Sequence, residues 1–403
     1  MVGQRREKRS AATVRAMSST SARPGRPSAG GAWGSAASGG RVAWGAAERV
    51  DPVTEPERLD AGLWFVVADF EGRARAWRFE HSVLEDARAR SEPGDRRTWR
   101  GPWAGDWSSS MSREEYCAAV EEVRARILDG DVYQANVCRI LTAPLPTGAG
   151  RLDPQDAEAL AALLAAGNPA PYAARVAVVA PEPDDAVWVV SASPELYLRV
   201  EGGTITSAPI KGTALTAAGL LEKDRAENIM ITDLVRNDLQ QVCVPGSIEV
   251  PHLLEVEEHP GLVHLVSTVR GALLPDLVAG PRRWQRMLAA TFPPGSVSGA
   301  PKESALSLIS RLERAPRGPY CGAVGWIDAD AGTAELAVGI RTFWSEKDGA
   351  GVPVLRFGTG AGITWESDPA AEWEETELKA RRLVGLASRA AARSHRPDGR
   401  LGA

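Results

Sequence analysis

Cysteine is scarce in this sequence, and so are long apolar runs. The four cysteines, Cys117, Cys138, Cys243 and Cys321, are far apart and form no C-x-x-C pair. This spacing disfavours metal-thiolate sites and disulfide frameworks, and it favours a reducing cytoplasm. No run approaches the roughly 20 apolar residues that span a bilayer. Because no apolar core follows the basic residues at 5–9, we expect neither a secretory signal nor a membrane partner.

Acidic residues are rare at the N-terminus, although the whole chain has a net charge of -5. The first fifty residues hold nine basic and two acidic side chains and are mostly Ala, Gly, Ser and Arg. They lack the aromatic interleaving of a nucleic-acid-binding arm. We therefore expect no nucleic-acid partner and a disordered basic arm over 1–55. A short N-terminal subdomain at 56–111, a main body at 112–385 and a flexible tail at 386–403 would complete the chain.

Hydrophobic patterning predicts an α+β protein. The apolar run at 63–70, a Glu-Gly turn and alternation up to residue 79 predict a hairpin, and the capping box that starts at Ser112 predicts a helix to Leu128. Helices and strands then follow without a regular βαβ rhythm, which favours one large α+β body. The expected strands are 132–142, 174–180, 186–191, 196–200, 263–273, 320–328, 335–344 and 353–364, and the expected helices are 217–240 and 369–390.

Two acidic helical segments are candidates for a metal site. Asp224 and Glu227 are spaced i, i+3, and Glu372, Glu375 and Lys379 share a face in the same way. Carboxylates from two distant segments suit Mg²⁺, which binds a few carboxylates, waters and an anionic substrate. On spacing alone, the simpler explanation is that both segments are solvated faces paired with Lys and Arg.

Glycine-rich segments and one lysine are further candidates. The segments 358–362 and 292–302 could bring backbone N–H groups close to an anion, although each could equally be a structural turn. Lys211 lies between Pro and Gly residues, and we expect it in a tight apolar turn. Desolvation there would lower the pKa of its amine and make it a nucleophile, but most lysines are surface cations.

Ten segments, taken in order, resemble the chorismate-utilising enzymes, which include anthranilate synthase component I, aminodeoxychorismate synthase component I, and the isochorismate and salicylate synthases. The resemblance covers about 112 to 385. It implies the anthranilate synthase component I-type fold: two α/β subdomains whose β-sheets pack into a sandwich, with helices outside and the site in the cleft between them. The segments are GDVYQANV (130–137), SPEL (193–196), PIKGT (209–213), DRAENIMITDLVRNDL (224–239), HLVSTVRG (264–271), FPPGSVSGAPK (292–302), YCGAVG (320–325), GIRT (339–342), GAGI (360–363) and SDPAAEWEETELKA (367–380).

Two positions separate the chemistries within this family. Isochorismate and salicylate synthases resemble one another in having a water-activating lysine where this chain has Gln134. Anthranilate synthases usually have P-I-A-G-T where this chain has P-I-K-G-T, with Lys211, as aminodeoxychorismate synthases do. The resemblance therefore implies amination of chorismate to 4-amino-4-deoxychorismate, for 4-aminobenzoate in folate or secondary metabolism. The alternatives are anthranilate synthase component I and a non-catalytic chorismate-binding regulator.

The resemblance also implies the parts of the mechanism. Lys211 would be the nucleophile, His264 would help the C4 hydroxyl to leave, and Glu195 would shuttle protons. No amidotransferase segment is recognisable, so ammonia would come from a separate glutamine amidotransferase subunit. Without the resemblance, His264 could be a hydrogen-bonded core histidine.

The implied ligands are a Mg²⁺ ion and chorismate. Glu227 and Glu375 would bind Mg²⁺, with Asp224 and Glu372 in the outer shell. Without the resemblance, Arg341 could be a structural ion-pair partner. The groups implied to hold the carboxylates of chorismate are Tyr320, Arg341, Lys379 and the backbone of Gly360, Ala361 and Gly362.

Overall fold

The computed structural model describes residues 31–84, 97–146, 152–214, 216–259 and 262–389. The helices in these ranges are α1 (Arg113–Leu128), α2 (Pro154–Gly167), α3 (Glu222–Gln240), α4 (Pro275–Ala279), α5 (Arg283–Thr291), α6 (Lys302–Leu312) and α7 (Pro369–Ala387). The strands are β1 (Trp33–Ser38), β2 (Arg41–Val50), β3 (Leu63–Ala68), β4 (Ala74–Leu84), β5 (Ser108–Ser109), β6 (Gln134–Pro144), β7 (Tyr172–Val179), β8 (Val187–Ser193), β9 (Leu196–Glu201), β10 (Thr204–Ala208), β11 (Ile210–Ala214), β12 (Glu249–His259), β13 (Leu262–Ala272), β14 (Gly299–Ala300), β15 (Ala323–Asp328), β16 (Thr333–Val338), β17 (Thr342–Lys347) and β18 (Pro353–Ile363).

The strands pair antiparallel into one long sheet with two halves. The first half runs β12-β13-β10-β9-β16-β15-β3-β4, and the second runs β7-β8-β17-β18-β6. Strands β2 and β1 lie between β4 and β7 and join the halves. The largest hydrophobic cluster contains Ile140 and Val176 from the second half and Leu198 and Ile327 from the first. The core therefore lies between the two halves, as in the expected sandwich, and the α+β fold class is confirmed.

The prediction of a disordered arm over 1–55 is wrong for residues 33–50. These residues form β1 and β2, and β1 pairs along its whole length with both β2 and β7. Ala36, Ala43 and Val50 are buried. At Gly34 a Cβ atom would lie 2.2 Å from the Ala177 carbonyl oxygen, so the small residues allow close approach of strands. An Ala/Gly/Ser-rich composition was therefore a property of tight strand packing, not of disorder. Residues 1–30 lie outside the described residues.

Local signals placed several element ends correctly and one strand incorrectly. Helix α1 begins with the expected capping box, in which the Ser112 hydroxyl accepts from Glu115 N at 3.2 Å and the Glu115 carboxylate accepts from Ser112 N at 2.9 Å. The strand expected at 335–344 is instead two strands, β16 and β17. They are separated at Arg341, whose φ of 52° is left-handed and cannot continue an extended chain.

Helices cover the outer faces of the sheet, and two of them, α3 and α7, lie beside the same cleft. Helices α2 and α7 pack on the second half through Leu160 and Leu383, which join Phe343 and Phe357 in one cluster. Helix α3 contacts β11 and β13 of the first half. The acidic segments of α3 and α7 therefore face a shared space between β11 and β18. None of the helices in the described ranges is both long and apolar enough to cross a membrane.

Candidate active site

Strand β18 has glycines at alternate positions, and the last of them, Gly362, lies beside Lys211. Because side chains alternate along a strand, residues 358, 360 and 362 face the same side. A Cβ atom would lie 2.0 Å from Tyr320 Cγ at Gly358, and 2.5 Å from Cys138 Sγ at Gly360. The strand expected at 353–364 is present as β18, and the glycines at 358–362 lie within it, so the alternative of a structural turn there is wrong. Its lack of side chains lets other groups approach the backbone closely.

Lys211 lies in β11 and not in the tight turn that we expected. Its backbone pairs with β13, and the register shifts between Lys211 and Thr213 because Gly212 forms a bulge with φ of 75°. A Cβ atom at Gly212 would lie 2.7 Å from the Cβ of Asp224, so the bulge is pressed against α3. A glycine is therefore required beside Lys211 for both its conformation and its size.

The Lys211 amine lies among charged groups of both signs. Burial lowers the pKa of this amine, Glu227 opposes that effect most strongly, and Lys379 adds to it. Glu195 and Glu375 also favour the charged amine. The residue is partly exposed, but the protein packed around the amine is dense enough for burial to outweigh the carboxylates. The pKa of the Lys211 amine is therefore lowered, as the sequence led us to expect.

Glu195 lies between β8 and β9 and is only 3% exposed. Burial raises the pKa of its carboxyl group to about 7. A hydrogen bond from the Ser296 side chain and the positive charges of Lys211 and Arg341 act in the opposite direction. A carboxyl group with this pKa can both accept and donate a proton near neutrality.

Arg341 is close enough to the Glu195 carboxyl group for the two charges to interact. Its left-handed backbone lies between β16 and β17, and its carbonyl accepts from Ala192 N at 3.0 Å. Burial lowers the pKa of the guanidinium and the charge of Glu195 raises it. An arginine stays charged under such shifts, so the cleft contains a fixed cation beside Glu195. The structure thereby brings Lys211, Glu195 and Arg341 together.

The acidic residues of α3 and α7 are neutralised by lysines. Lys223 Nζ lies 3.7 Å from Glu227 Oε1 and 3.2 Å from Glu372 Oε1, and so bridges the two helices. Lys379 Nζ lies 2.6 Å from Glu375 Oε1. This ion pair is the largest reason for the lowered pKa of Glu375. The two acidic segments therefore share one space and are not separate solvated faces.

The carboxylates of Glu227, Glu372 and Glu375 have the oxygen ligands and the negative charge that a divalent cation such as Mg²⁺ requires. Burial raises the pKa of Glu227, and Glu372 and Glu375 raise it further because their negative charges are close. The Lys223 ammonium already holds a positive charge between two of these groups. In the described part of the chain, however, no three acidic, His or Cys side chains converge as a ready-made metal site. Asp224 differs from the others, since its Oδ2 accepts from Leu221 N at 2.8 Å at the start of α3.

The expected chorismate-binding groups lie along β18. The Tyr320 ring packs over Gly358, and burial raises the pKa of its hydroxyl well above its usual range. Lys379 Nζ donates to the Gly360 carbonyl at 3.0 Å. The Ala361 side chain belongs to the hydrophobic cluster under α1, so only its backbone can face the cleft.

His264 lies in β13, where the strand register places it opposite Thr213. It is 1% exposed, so its ring is enclosed by the protein. Its role in catalysis remains a prediction.

Sequence reasoning missed Lys223 and Asn136. Lys223 is four residues before Glu227, and that i, i+4 spacing on a helix could have identified the pair. Asn136 Nδ2 donates to the Ser296 carbonyl at 3.3 Å, which ties β6 to the loop that reaches Glu195. No local pattern announces that contact, because the partners are 160 residues apart.

Residues 64–385 match the chorismate binding enzyme family, and the chain belongs to it. The chain is 40% identical over 303 residues to the aminodeoxychorismate synthase of Streptomyces pristinaespiralis, a match that covers 72% of this chain and 39% of the relative. It is 41% identical over 228 residues to anthranilate synthase component 1 of Saccharolobus solfataricus, covering 54% of this chain and 50% of that one. The chain therefore spans about two fifths to half of these relatives.

The fold is also that of a solved relative. Anthranilate synthase component I from Streptococcus pneumoniae matches with a TM-score of 0.62 and 26% identity, over 84% of this chain and 80% of that structure. The anthranilate synthase component I-type fold is thereby confirmed.

Proposed function

We propose that this chain is aminodeoxychorismate synthase component I, a subunit that converts chorismate and ammonia to 4-amino-4-deoxychorismate. The coarser statement, an enzyme of the aminodeoxychorismate synthase and anthranilate synthase component I type that acts on chorismate, is supported by the family and by both relatives. The finer proposal depends on one observation. A lysine whose amine has a lowered pKa, Lys211, lies in the cleft beside a carboxyl group of pKa about 7, Glu195.

Lys211 would act as a nucleophile in two displacements. The neutral amine attacks C2 of chorismate while the C4 hydroxyl leaves as water, with the ring double bonds shifting between these carbons. Ammonia then attacks C4, the double bonds shift back, and the Lys211 amine is expelled. Glu195 would give and take the protons that each nitrogen loses or gains, which its pKa near neutrality allows. His264 would assist departure of the hydroxyl.

The carboxylates of α3 and α7 would hold Mg²⁺. Glu227 and Glu375 are the proposed ligands, and Glu372 supports them from α7. Asp224 remains a weaker candidate for the outer shell, since it caps the start of α3. Bound Mg²⁺ offsets the negative charge of a substrate carboxylate and makes the ring more electrophilic. Lys223 would have to yield its position between Glu227 and Glu372 to such an ion.

The remaining cleft groups would hold the two carboxylates of chorismate. Arg341 and Lys379 provide positive charge, and Tyr320 provides a hydroxyl that stays protonated because its pKa is raised. The backbone of 360–362 would provide N–H groups where the missing side chains leave room.

A separate glutamine amidotransferase subunit would provide the ammonia. The Klebsiella aerogenes relative, 37% identical over 290 residues, is called aminodeoxychorismate synthase component 1, which supports a multi-component enzyme. The second candidate function is anthranilate synthase component I, which the 41% identity to the S. solfataricus enzyme favours. That reaction would need no lysine nucleophile, so Lys211 separates the two candidates.

The test is a search for a covalent intermediate. Purified protein is mixed with chorismate and Mg²⁺ without ammonium, quenched, digested and measured by mass spectrometry. We expect a substrate adduct on Lys211, and we expect Lys211→Ala to lose most 4-amino-4-deoxychorismate when ammonium is added. Lys347→Ala, at an exposed lysine of β17, is the control and should retain product. No adduct, together with unchanged product from Lys211→Ala or with anthranilate from the wild type, would reject the proposal.

A further inference from the structure

Gln134 has a buried oxygen without a hydrogen-bond partner. This residue begins β6, is completely buried, and its Oε1 finds no donor among the described residues. Leaving such an acceptor unsatisfied costs free energy, so native proteins normally give it a partner. An unsatisfied acceptor in a substrate cleft suggests that a ligand provides the donor.

Neighbouring groups determine which end of the Gln134 amide is the oxygen. The Ser296 carbonyl can only accept, so the Asn136 atom 3.3 Å from it must be Nδ2. The other end of Asn136 is then Oδ1, which lies 3.4 Å from Gln134 and accepts from its Nε2. This chain of contacts leaves Oε1 as the free end of Gln134.

The amide group lies beside the proposed nucleophile. A Cβ atom built on Gly362 would be 2.4 Å from Gln134 Nε2 and 3.1 Å from Lys211 Nζ. The two side chains therefore share the space above one glycine of β18. Lys211 is nevertheless not a donor to Oε1, which has no partner. The oxygen at the other end of the same amide group therefore has neither Lys211 nor any other described residue as its donor.

We propose that Gln134 Oε1 binds the incoming ammonia, and that Asn136 is the positioning residue that turns this oxygen toward the cleft. The inference rests on the proposed function, which requires ammonia to arrive after Lys211 has reacted. Ammonia would donate one N–H to Oε1 and keep its lone pair for attack on C4. Since ammonium has no lone pair and an amide oxygen is too weak a base to deprotonate it, the species that reacts must enter as neutral ammonia. The apparent KM for added ammonium should therefore fall as the pH rises.

The test measures ammonium and chorismate dependence separately. Gln134→Met keeps the length of the side chain but removes the acceptor. We expect the KM for ammonium to rise about tenfold, because a hydrogen bond to a buried group is lost. The KM for chorismate should change less than about twofold, and adduct formation on Lys211 without ammonium should be unaffected. Asn136→Asp cannot donate to the Ser296 carbonyl, and it should also raise the KM for ammonium while adduct formation persists.

The control is Gln240→Met, the same substitution at an exposed residue of α3, which should leave both KM values unchanged. An unchanged KM for ammonium in folded Gln134→Met, shown by retained adduct formation, overturns the inference. Slower adduct formation with an unchanged KM for ammonium also overturns it, and assigns Oε1 to Lys211. If the wild type forms no aminated product at all, the proposed function fails instead. Should Gln134→Met not fold, Asn136→Asp carries the same comparison.

Discussion

Replacing Glu195 with glutamine should abolish catalysis and stabilise the fold at alkaline pH. The carboxyl group of Glu195 has its pKa raised by burial from 4.5 to about 7. Between these two values the folded protein keeps the proton and the unfolded chain has lost it. Because the unfolded state then binds fewer protons, the free energy of unfolding falls as the pH rises through this window. Stability from this group is complete below about pH 4.5 and is lost above about pH 7.

The size of the effect follows from the same two values. A shift from 4.5 to about 7, at 1.36 kcal/mol per pKa unit, corresponds to about 3 kcal/mol. The pKa already includes the opposing charges of Lys211 and Arg341, so they need no separate correction. Glutamine has nearly the same shape and does not titrate. Glu195→Gln should therefore be more stable than the wild type by about 3 kcal/mol at pH 8 and almost equal to it at pH 4.5.

The assay is urea unfolding of wild type and variant at both pH values, together with turnover of chorismate and ammonium. The control is Glu201→Gln, at an exposed residue that ends β9, which should show no gain that depends on pH. The reasoning is refuted if the difference in unfolding free energy between Glu195→Gln and wild type is the same at both pH values. Wild-type turnover by Glu195→Gln would separately reject its role in proton transfer.

Two further predictions concern the metal and the N-terminal strands. Glu227→Ala and Glu375→Ala should each lose most turnover and need more Mg²⁺ for half-maximal activity. EDTA should abolish wild-type turnover. Near wild-type activity in either variant would reject the metal assignment. Deleting 1–50 removes β1 and β2 from between the halves of the sheet and should prevent cooperative thermal unfolding, as measured by circular dichroism. A truncation of 1–30 is the matched control, and an unchanged melting temperature for the longer deletion would contradict the strand assignment.

Local signals predicted the elements whose ends are decided by neighbouring residues. Helix α1 is one example, since its capping box joins residues three apart. Strands β1 and β2 are the opposite case. Their partners β7 and β4 include residues 140 positions away, such as Arg175 Nη1, which donates to Ser35 Oγ at 2.6 Å. A run of Ala, Gly and Ser becomes a strand only when such distant partners are present, so composition alone indicated disorder.

The candidate site also has some features that the sequence predicted and others that it could not. The resemblance identified Lys211 and Glu195 as site residues, and the structure places them together. The geometry of the site could not be predicted, because it depends on a bulge at Gly212, beside Lys211, and on the left-handed backbone of Arg341. Both features depend on packing against elements distant in sequence. Asp224 has a contact that its spacing with Glu227 did not predict, since one of its carboxylate oxygens accepts from Leu221 N at the start of α3. Its outer-shell role stays a prediction.

Burial acts on Glu195 and Lys211 in opposite directions, and this would let one cleft transfer protons in both of the proposed displacements. In water a carboxylate and an ammonium would both remain charged at neutral pH, and a proton would not pass from the amine to the acid. Here desolvation raises the pKa of Glu195 and lowers that of Lys211, so the two values approach each other. The neutral pair, a carboxylic acid and a free amine, thereby comes closer in free energy to the ion pair. In the proposed mechanism, the attacking amine of Lys211 would then form without a strong base, and the Glu195 carboxylic acid would return the proton when the amine leaves.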